Sequence, residues 1–523
     1  MKVLVSDPLS KEGLDILDKA QIPYEVKTGL REEELVSCIS RYNALIVRSE
    51  TKVTKNIIGA AQNLKVIGRA GVGVDNIDVM EATKRGIVVM NVPGGNTISA
   101  AEHTMALLLS LSRNIPQANK SLKEKEWNRK RFRGVELNGK TLGIIGLGRI
   151  GREVAKRAKS FVMKVIAFDP YVSEDQAKVI GVELVELEDI YKESDYITLH
   201  IPSSDKTRHL ISRDEFSKMK PGVRIINCAR GGIIDEEALY EAMKEGKVAG
   251  CALDVYEKEP PFDSPLLELE NCITVPHLGA STKEAQVNVA VEIARQVVDA
   301  LKNDEIRNAV NIPQIEDIEI KPYLFLCEKI GYLHAQLLSG HIEGIDVEYT
   351  GEIANYKVAP LTVAILKGIL SGILTETLVN YVNAPLIAKE RGIRVVESKS
   401  IKEKDFTNLI SVRLSTDKEK RVIEGSIFQK DDERIVSIDG FRVDAIPSGY
   451  MLVISNIDKP GVIGKIGTIL GQNNINIAGL QMGRKAIGGR QLMVLNVDHV
   501  VEQEVLKQIE GVDEVSSVRM VKL

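Results

Sequence analysis

Cysteine is scarce: five residues in 523, an odd number, and none in a CxxC pair. That excludes a disulfide scaffold and fits free thiols in a reducing cytosol. No histidine or cysteine spacing resembles a metal site, so no metal is expected. A basic surplus is also missing, because 69 lysines and arginines face 73 acidic residues for a net charge of −4. A nucleic-acid partner would ask for the opposite balance. Long apolar runs are absent: the most apolar late stretch, VAPLTVAILKGILSGIL, is broken by Pro360, Lys367 and glycines. It reads as a buried helix, not a membrane span. MKVLVSD opens the chain as a strand with no charged-then-apolar leader, so a cytoplasmic protein is expected. There is no fixed-period repeat and no low-complexity tract.

What is present is ordinary globular material, 44% hydrophobic and 27% charged, long enough for about three to four domains. Up to about residue 310, short β-branched runs alternate with amphipathic stretches, the pattern of βαβ units around parallel sheets. KVLVSD, ALIVRS, KVIGRAG and GIVVMNVP form a first series. NTISAAEHTMALLLSLSRN then reads as a long helix, with Ser99 and Glu102 as a capping box at its start. A second series follows: KTLGIIGLG, KVIAFDP, DYITLHIP, RIINCARGG, AGCALDVY and CITVPHLG. Strands this apolar are buried on both faces, and functional groups belong at their carboxyl ends. Those ends carry Asp169, Pro202, Arg230, Asp254 and His277. VNIPQIEDIEIKP (310–322) looks like a linker. Residues 323–445 form a further α/β segment, and from Tyr450 the order is βαββαβ.

GIIGLGRIG holds Gly146-x-Gly148-x-x-Gly151 between a strand and a helix, with Asp169 lying 23 residues beyond Gly146. In that context glycines let the backbone approach a pyrophosphate at a helix amino terminus. Asp169 would accept the adenosine ribose hydroxyls and repel a 2′-phosphate, favouring NAD over NADP. Arg230 can clamp a carboxylate through two parallel bonds, or it is a structural arginine paired with Asp235 or Glu236. His277 can be a core histidine. If Glu259 reaches one imidazole nitrogen, the other is left to exchange a proton with substrate. An arginine, a glutamate and a histidine beside a nicotinamide suit hydride transfer to or from a 2-hydroxy acid. Cys228, Cys251 and Cys272 read as core.

GLGRIG, NCARGG, ALDVYEKEP and PHLGAST resemble the D-2-hydroxyacid dehydrogenase family, and the whole chain is similar to a long form with an intervening domain and a C-terminal ACT domain. The resemblance implies an α/β architecture of two doubly wound parallel-sheet domains. These are a flavodoxin-like substrate-binding domain (1–98, with 285–309 returning to it) and a Rossmann NAD-binding domain (99–284). An α/β intervening domain (310–447) and a βαββαβ ACT domain (448–523) follow. Arg230, Glu259 and His277 are then catalytic. NAD is expected against Gly146, Gly148, Arg149, Ile150, Gly151, Asp169, Cys228, Ala229, Arg230, Asp254, His277, Gly279 and Ala280. For substrate the candidates are Arg48, Lys52, Arg69, Asn96 and Arg129. Asn96 has a helix cap as its rival reading. Arg129, which in the family approaches a neighbouring subunit's active site, has a solvated basic loop as its rival.

The reaction so implied is NAD-dependent oxidation of 3-phosphoglycerate to 3-phosphohydroxypyruvate, the first step of serine synthesis. L-serine is the expected effector, on Asn456, Asp458 and Asn476 of the ACT domain, although those residues are also turn formers. A homotetramer is the expected assembly. Two alternatives stay open: a glyoxylate or hydroxypyruvate reductase, and a non-catalytic NAD-sensing protein.

Overall fold

The computed structural model describes all residues except 316, 375–377, 403–404 and 430–431. Its first sheet is parallel, with Tyr24–Val26 at one edge, then Val3–Val5, Ala44–Val47, Val66–Arg69 and Val88–Met90. In chain order that is 2-1-3-4-5, the flavodoxin-like arrangement. Its central strands are fully buried β-branched runs, so helices must cover both faces. One of those helices comes from far along the chain. Lys283–Lys302 packs Val289, Ile293 and Val297 into one core with Val3, Ile46 and Val66. Gly13 permits this contact, because a Cβ there would stand 2.9 Å from the Ala290 Cβ.

The second sheet has seven strands, all parallel: Cys272–Thr274, Val248–Leu253, Val223–Asn227, Tyr196–Leu199, Thr141–Ile145, Lys164–Phe168 and Glu183–Leu184. All six apolar runs of the second series are strands here. Strand order reverses between Thr141–Ile145 and Tyr196–Leu199, and a crevice at the carboxyl ends of such a pair is where ligands bind. The long helix runs Thr97–Arg113, and here the sequence expectation fails. No side chain caps it, and Ser99 lies inside its first turn, where its hydroxyl donates to the Gly279 carbonyl at 2.9 Å. A distant acceptor has taken the group that the local pattern assigned to a capping box.

Beyond residue 320, the helices Lys321–Leu337 and Ala359–Ile373 pack so closely that a Cβ on Gly331 would meet the Ile365 carbonyl oxygen at 2.4 Å. They lie with a six-stranded mixed sheet of which Ile342–Gly351 and Asn408–Thr416 are inner strands. Ala359–Ile373 is the apolar stretch noted above. No helix among the described residues is long and apolar enough to cross a membrane. The last sheet is antiparallel, in the order Ile477–Arg484, Arg490–Val497, Tyr450–Ile457 and Val515–Lys522. The helices Val462–Gln472 and Gln503–Glu510 complete its βαββαβ order.

Candidate active site

The glycine loop sits where the seven-stranded sheet reverses. Gly146 has φ +97°, and its N–H donates to the Phe168 carbonyl at 2.9 Å. Gly148 opens the helix Arg149–Ser160 with clear space where a side chain would be. Gly151 is in the first turn, and a Cβ there would lie 2.1 Å from the Gly146 carbonyl oxygen. Loop and helix therefore touch backbone to backbone, leaving N–H groups at the helix amino terminus for a pyrophosphate. Arg149 reaches towards Gly94, and Ile150 packs partly buried beneath the loop. Asp169 is fixed at the adjacent strand end by N–H donors from Leu147 (2.8 Å) and Tyr171 (2.9 Å). The cradle fits a dinucleotide.

The reacting groups come from three loops. Asp254, 1% exposed, accepts the N–H groups of Leu278 and Gly279 at 2.6 and 2.8 Å, and His103 Nε2 lies 3.2 Å from it. This pins the segment that follows strand Cys272–Thr274 and presents His277 with φ +52°, unusual for a residue with a Cβ. His277 Nδ1 lies 3.0 Å from Glu259 Oε2, which leaves Nε2 as the nitrogen available to substrate. The other oxygen of Glu259 accepts the Tyr256 N–H at 3.2 Å. The hydrogen bond to Glu259 raises the His277 pKa above the ordinary histidine value, and burial only partly offsets it. Burial alone would push the Glu259 carboxyl up, but the hydrogen bond and charge of His277 outweigh it and hold the carboxyl below its usual range.

Arg230 does not pair with Asp235 or Glu236. Asp235 caps the helix Glu236–Lys244, and Glu236 turns to the backbone of Glu257. Arg230 instead sets Nη1 on the Ala229 carbonyl at 2.7 Å and Nε 3.2 Å from Asp75. Ala229 is held in turn by Asn227, and burial pushes the neighbouring Cys228 thiol up to about 12. Arg48, Arg69, Asn96, Arg230, Glu259 and His277 all line one cavity of about 560 Å³, and Ala280 closes it beside His277. Burial, reinforced by nearby Arg230, brings the Arg69 guanidinium down to about 10, and its Nε is buried without a partner. The Asn96 side chain caps nothing, and its Oδ1 is likewise buried and unpaired. Both atoms are thus left with hydrogen-bonding capacity on the cavity wall. Sequence reasoning missed Asp75, Tyr256, Phe262 and Gln286 on the same walls. Asp75 lies just beyond the KVIGRAG run, and only the returning helix could have brought Gln286 here.

Three family descriptions match the chain. Residues 105–279 match the NAD binding domain of D-isomer specific 2-hydroxyacid dehydrogenase, residues 319–439 the D-3-phosphoglycerate dehydrogenase intervening domain, and residues 450–514 the ACT domain. A D-3-phosphoglycerate dehydrogenase of Methanocaldococcus jannaschii is 48% identical over 527 residues, covering 100% of both chains. The chain belongs to the D-3-phosphoglycerate dehydrogenase family. A second relative with that name, from Bacillus subtilis, is 45% identical across 100% of this chain and 99% of its own. Among solved structures, Aquifex aeolicus D-lactate dehydrogenase complexed with NAD and lactic acid is 30% identical. It aligns with a TM-score of 0.54 over 60% of this chain and 100% of its own. As a member of this family the chain is an NAD-dependent dehydrogenase.

Two of the expected substrate residues stand apart. Lys52 and Arg129 are exposed and do not line the cavity. Lys52 lies beyond the Asp7–Thr51 bonds that turn the chain away, and Arg129 belongs to an exposed basic segment. The three expected effector residues are not gathered within one chain either. Asn456 is fully buried, with Nδ2 bonded to Gln491 and to the Ile457 carbonyl, and Asp458 pairs with Arg484 at 2.8 Å. Asn476 bonds Asp498 at the opposite end of the sheet, next to the Ile477–Val497–Tyr450 row, whereas Asn456 pairs in the row of Gln491 and Arg484. Six strand positions separate those rows, about 20 Å at the usual rise per residue.

Proposed function

We propose that this cavity oxidises D-3-phosphoglycerate to 3-phosphohydroxypyruvate, the first step of L-serine synthesis, with Arg230, Glu259 and His277 as its catalytic residues. The observation that carries the reading is the His277–Glu259 pair at 3.0 Å sharing one cavity with three guanidiniums, Arg48, Arg69 and Arg230. The substrate bears a carboxylate at one end and a phosphate at the other, with the reacting hydroxyl between. Arg230, already oriented by Ala229 and Asp75, takes the carboxylate and polarises the forming ketone, with Asn96 beside it. Arg48 and Arg69 take the phosphate end. His277 Nε2 accepts the hydroxyl proton, and Glu259 stabilises the imidazolium that results. NAD, held at the glycine loop, supplies the hydride acceptor. Arg129 serves only if a neighbouring subunit brings it to the cleft, and Lys52 has no part in it here.

The test is to supply purified protein with NADH and 3-phosphohydroxypyruvate, then with glyoxylate, and follow loss of NADH absorbance. Turnover of the phosphorylated keto acid far above glyoxylate is expected. A preference for glyoxylate would sink the substrate assignment, and NADH binding without turnover would leave a sensing protein.

L-serine is the effector we assign to the ACT domain. Asp458 meets its ammonium, while the amides of Asn456 and Asn476 meet its polar groups. Because these residues lie at opposite ends of one sheet, the site draws Asp458 from one copy and Asn476 from another.

A further inference from the structure

Glu236 and Glu257 take no part in the chemistry above, and neither lines the cavity where it happens. Yet they join the two loops that carry Arg230 and Glu259. Those loops leave adjacent strands, Val223–Asn227 and Val248–Leu253, and run in backbone contact: a Cβ on Gly231 would stand 1.8 Å from the Tyr256 carbonyl oxygen. Just beyond that contact the two glutamates are crossed. The Glu257 N–H donates to Glu236 Oε1 at 2.6 Å, and the Glu236 N–H donates to Glu257 Oε1 at 3.2 Å. Each carboxylate thus holds the other's backbone.

A third loop closes the ring. His209 Nε2 lies 3.1 Å from the same Glu257 oxygen, and the His209 N–H donates to the Gly232 carbonyl at 2.8 Å. The Asp235 N–H returns the contact on the Ile211 carbonyl at 3.0 Å. Glu257 is separated from Glu259 by Lys258 alone, and the Glu259 carboxylate receives the N–H of Tyr256, three residues before it. The short segment that leads into Glu259 is therefore held both by the crossed glutamates and by Glu259 itself.

We propose that Glu236, Glu257 and His209 form a positioning clamp that sets the Glu259 carboxylate against His277 and fixes its spacing from Arg230. The proposal rests on the reading of Glu259 and His277 as the acid–base pair. The charged groups that face His277 are Glu259, Asp254 and Arg230. Glu259 and Arg230 sit on the clamped loops, whereas Asp254 is held separately by the N–H groups of Leu278 and Gly279. Releasing the clamp weakens the hydrogen bond to Glu259, the largest influence that holds the imidazole towards its charged form.

The experiment is a nuclear magnetic resonance titration of histidine-labelled protein, with His277 assigned through His277→Gln, in Glu257→Ala, Glu236→Ala and the milder, half-exposed His209→Ala. Melting temperature and NADH affinity establish which variants fold. In folded variants His277 is expected to titrate lower by about half a unit or more. Turnover of 3-phosphohydroxypyruvate should fall about tenfold at an unchanged KM for NADH, as misplacement of a catalytic group requires. Glu257→Gln keeps an oxygen acceptor for the Glu236 N–H and should restore most of both. An unchanged His277 titration in every folded variant overturns the clamp. A wild-type protein that turns over no phosphorylated keto acid defeats the substrate assignment instead, and the titration still judges the clamp.

Discussion

At the level of single residues, His277 is governed by the balance between Glu259, which raises its pKa, and burial, which opposes that rise. Reduction of the keto acid needs the imidazolium, so its rate should fall as pH rises through this raised pKa, and oxidation should gain over the same window. Glu259→Gln removes the dominant influence, so both limbs should move to lower pH in a kcat/KM profile, with a rate loss of about a hundredfold. Limbs that stay in place would mean another group controls the proton. The same pair contributes stability that is lost as pH rises through the folded His277 pKa, and lost again as pH falls through the depressed Glu259 pKa. With 49% and 41% of the two side chains exposed, that contribution is small and should barely move the melting temperature. Asp169 offers a second test at this scale. Its carboxylate is fixed by Leu147 and Tyr171 at the strand end beside the glycine loop. Asp169→Ala should narrow the preference for NADH over NADPH by about tenfold, measured as a ratio of kcat/KM values.

Secondary-structure elements show where sequence patterns are reliable and where they mislead. All six apolar runs of the nucleotide-binding half became strands, because short β-branched runs bounded by glycine or polar residues suit a parallel sheet covered on both faces. Strand ends then placed Asp169, Arg230, Asp254 and His277 without further information. The Ser99 capping box failed because its rival acceptor, the Gly279 carbonyl, lies 180 residues away and no local pattern can see it. Asp75 was missed for the same reason, since its partner Arg230 belongs to the other sheet. The glycine loop gives a sharp prediction at this level. In Gly151→Ala the new methyl would meet a backbone oxygen at 2.1 Å, and neither helix nor loop has a flexible side chain to yield. Helix Arg149–Ser160 must move off the loop. NADH affinity should fall at least tenfold and stability by about 1–3 kcal/mol, read by calorimetric titration and thermal melting. Unchanged affinity would show that the cradle tolerates a wider gap than its geometry implies.

For the whole molecule, the regulatory end is joined to its neighbour through packing. Met451, Val453, Leu492, Val494 and Val521 of the last sheet share one core with Leu326, Ile330 and Ile345 of the intervening segment. The ACT sheet is thus packed directly on the segment between it and the catalytic half. The sequence made Asn456, Asp458 and Asn476 look like one cluster because all three border turns of a single small module. The antiparallel register separates them, since Ile477 pairs at the Tyr450 end of the sheet and Asp458 follows the other end. If serine binds across two copies, Asp458→Ala and Asn476→Ala should each abolish inhibition by L-serine while leaving turnover intact. Denatured together and reassembled, the two variants should recover part of it. Random pairing puts one site with both native residues into each mixed pair of chains, on the order of a quarter of all sites. Recovery of inhibition in the mixture, and in neither variant alone, would place the effector between subunits. No recovery, with mixed assembly verified by mass spectrometry, would return the site to a single chain and require Asp458 to leave Arg484 for a ligand that Asn476 never touches.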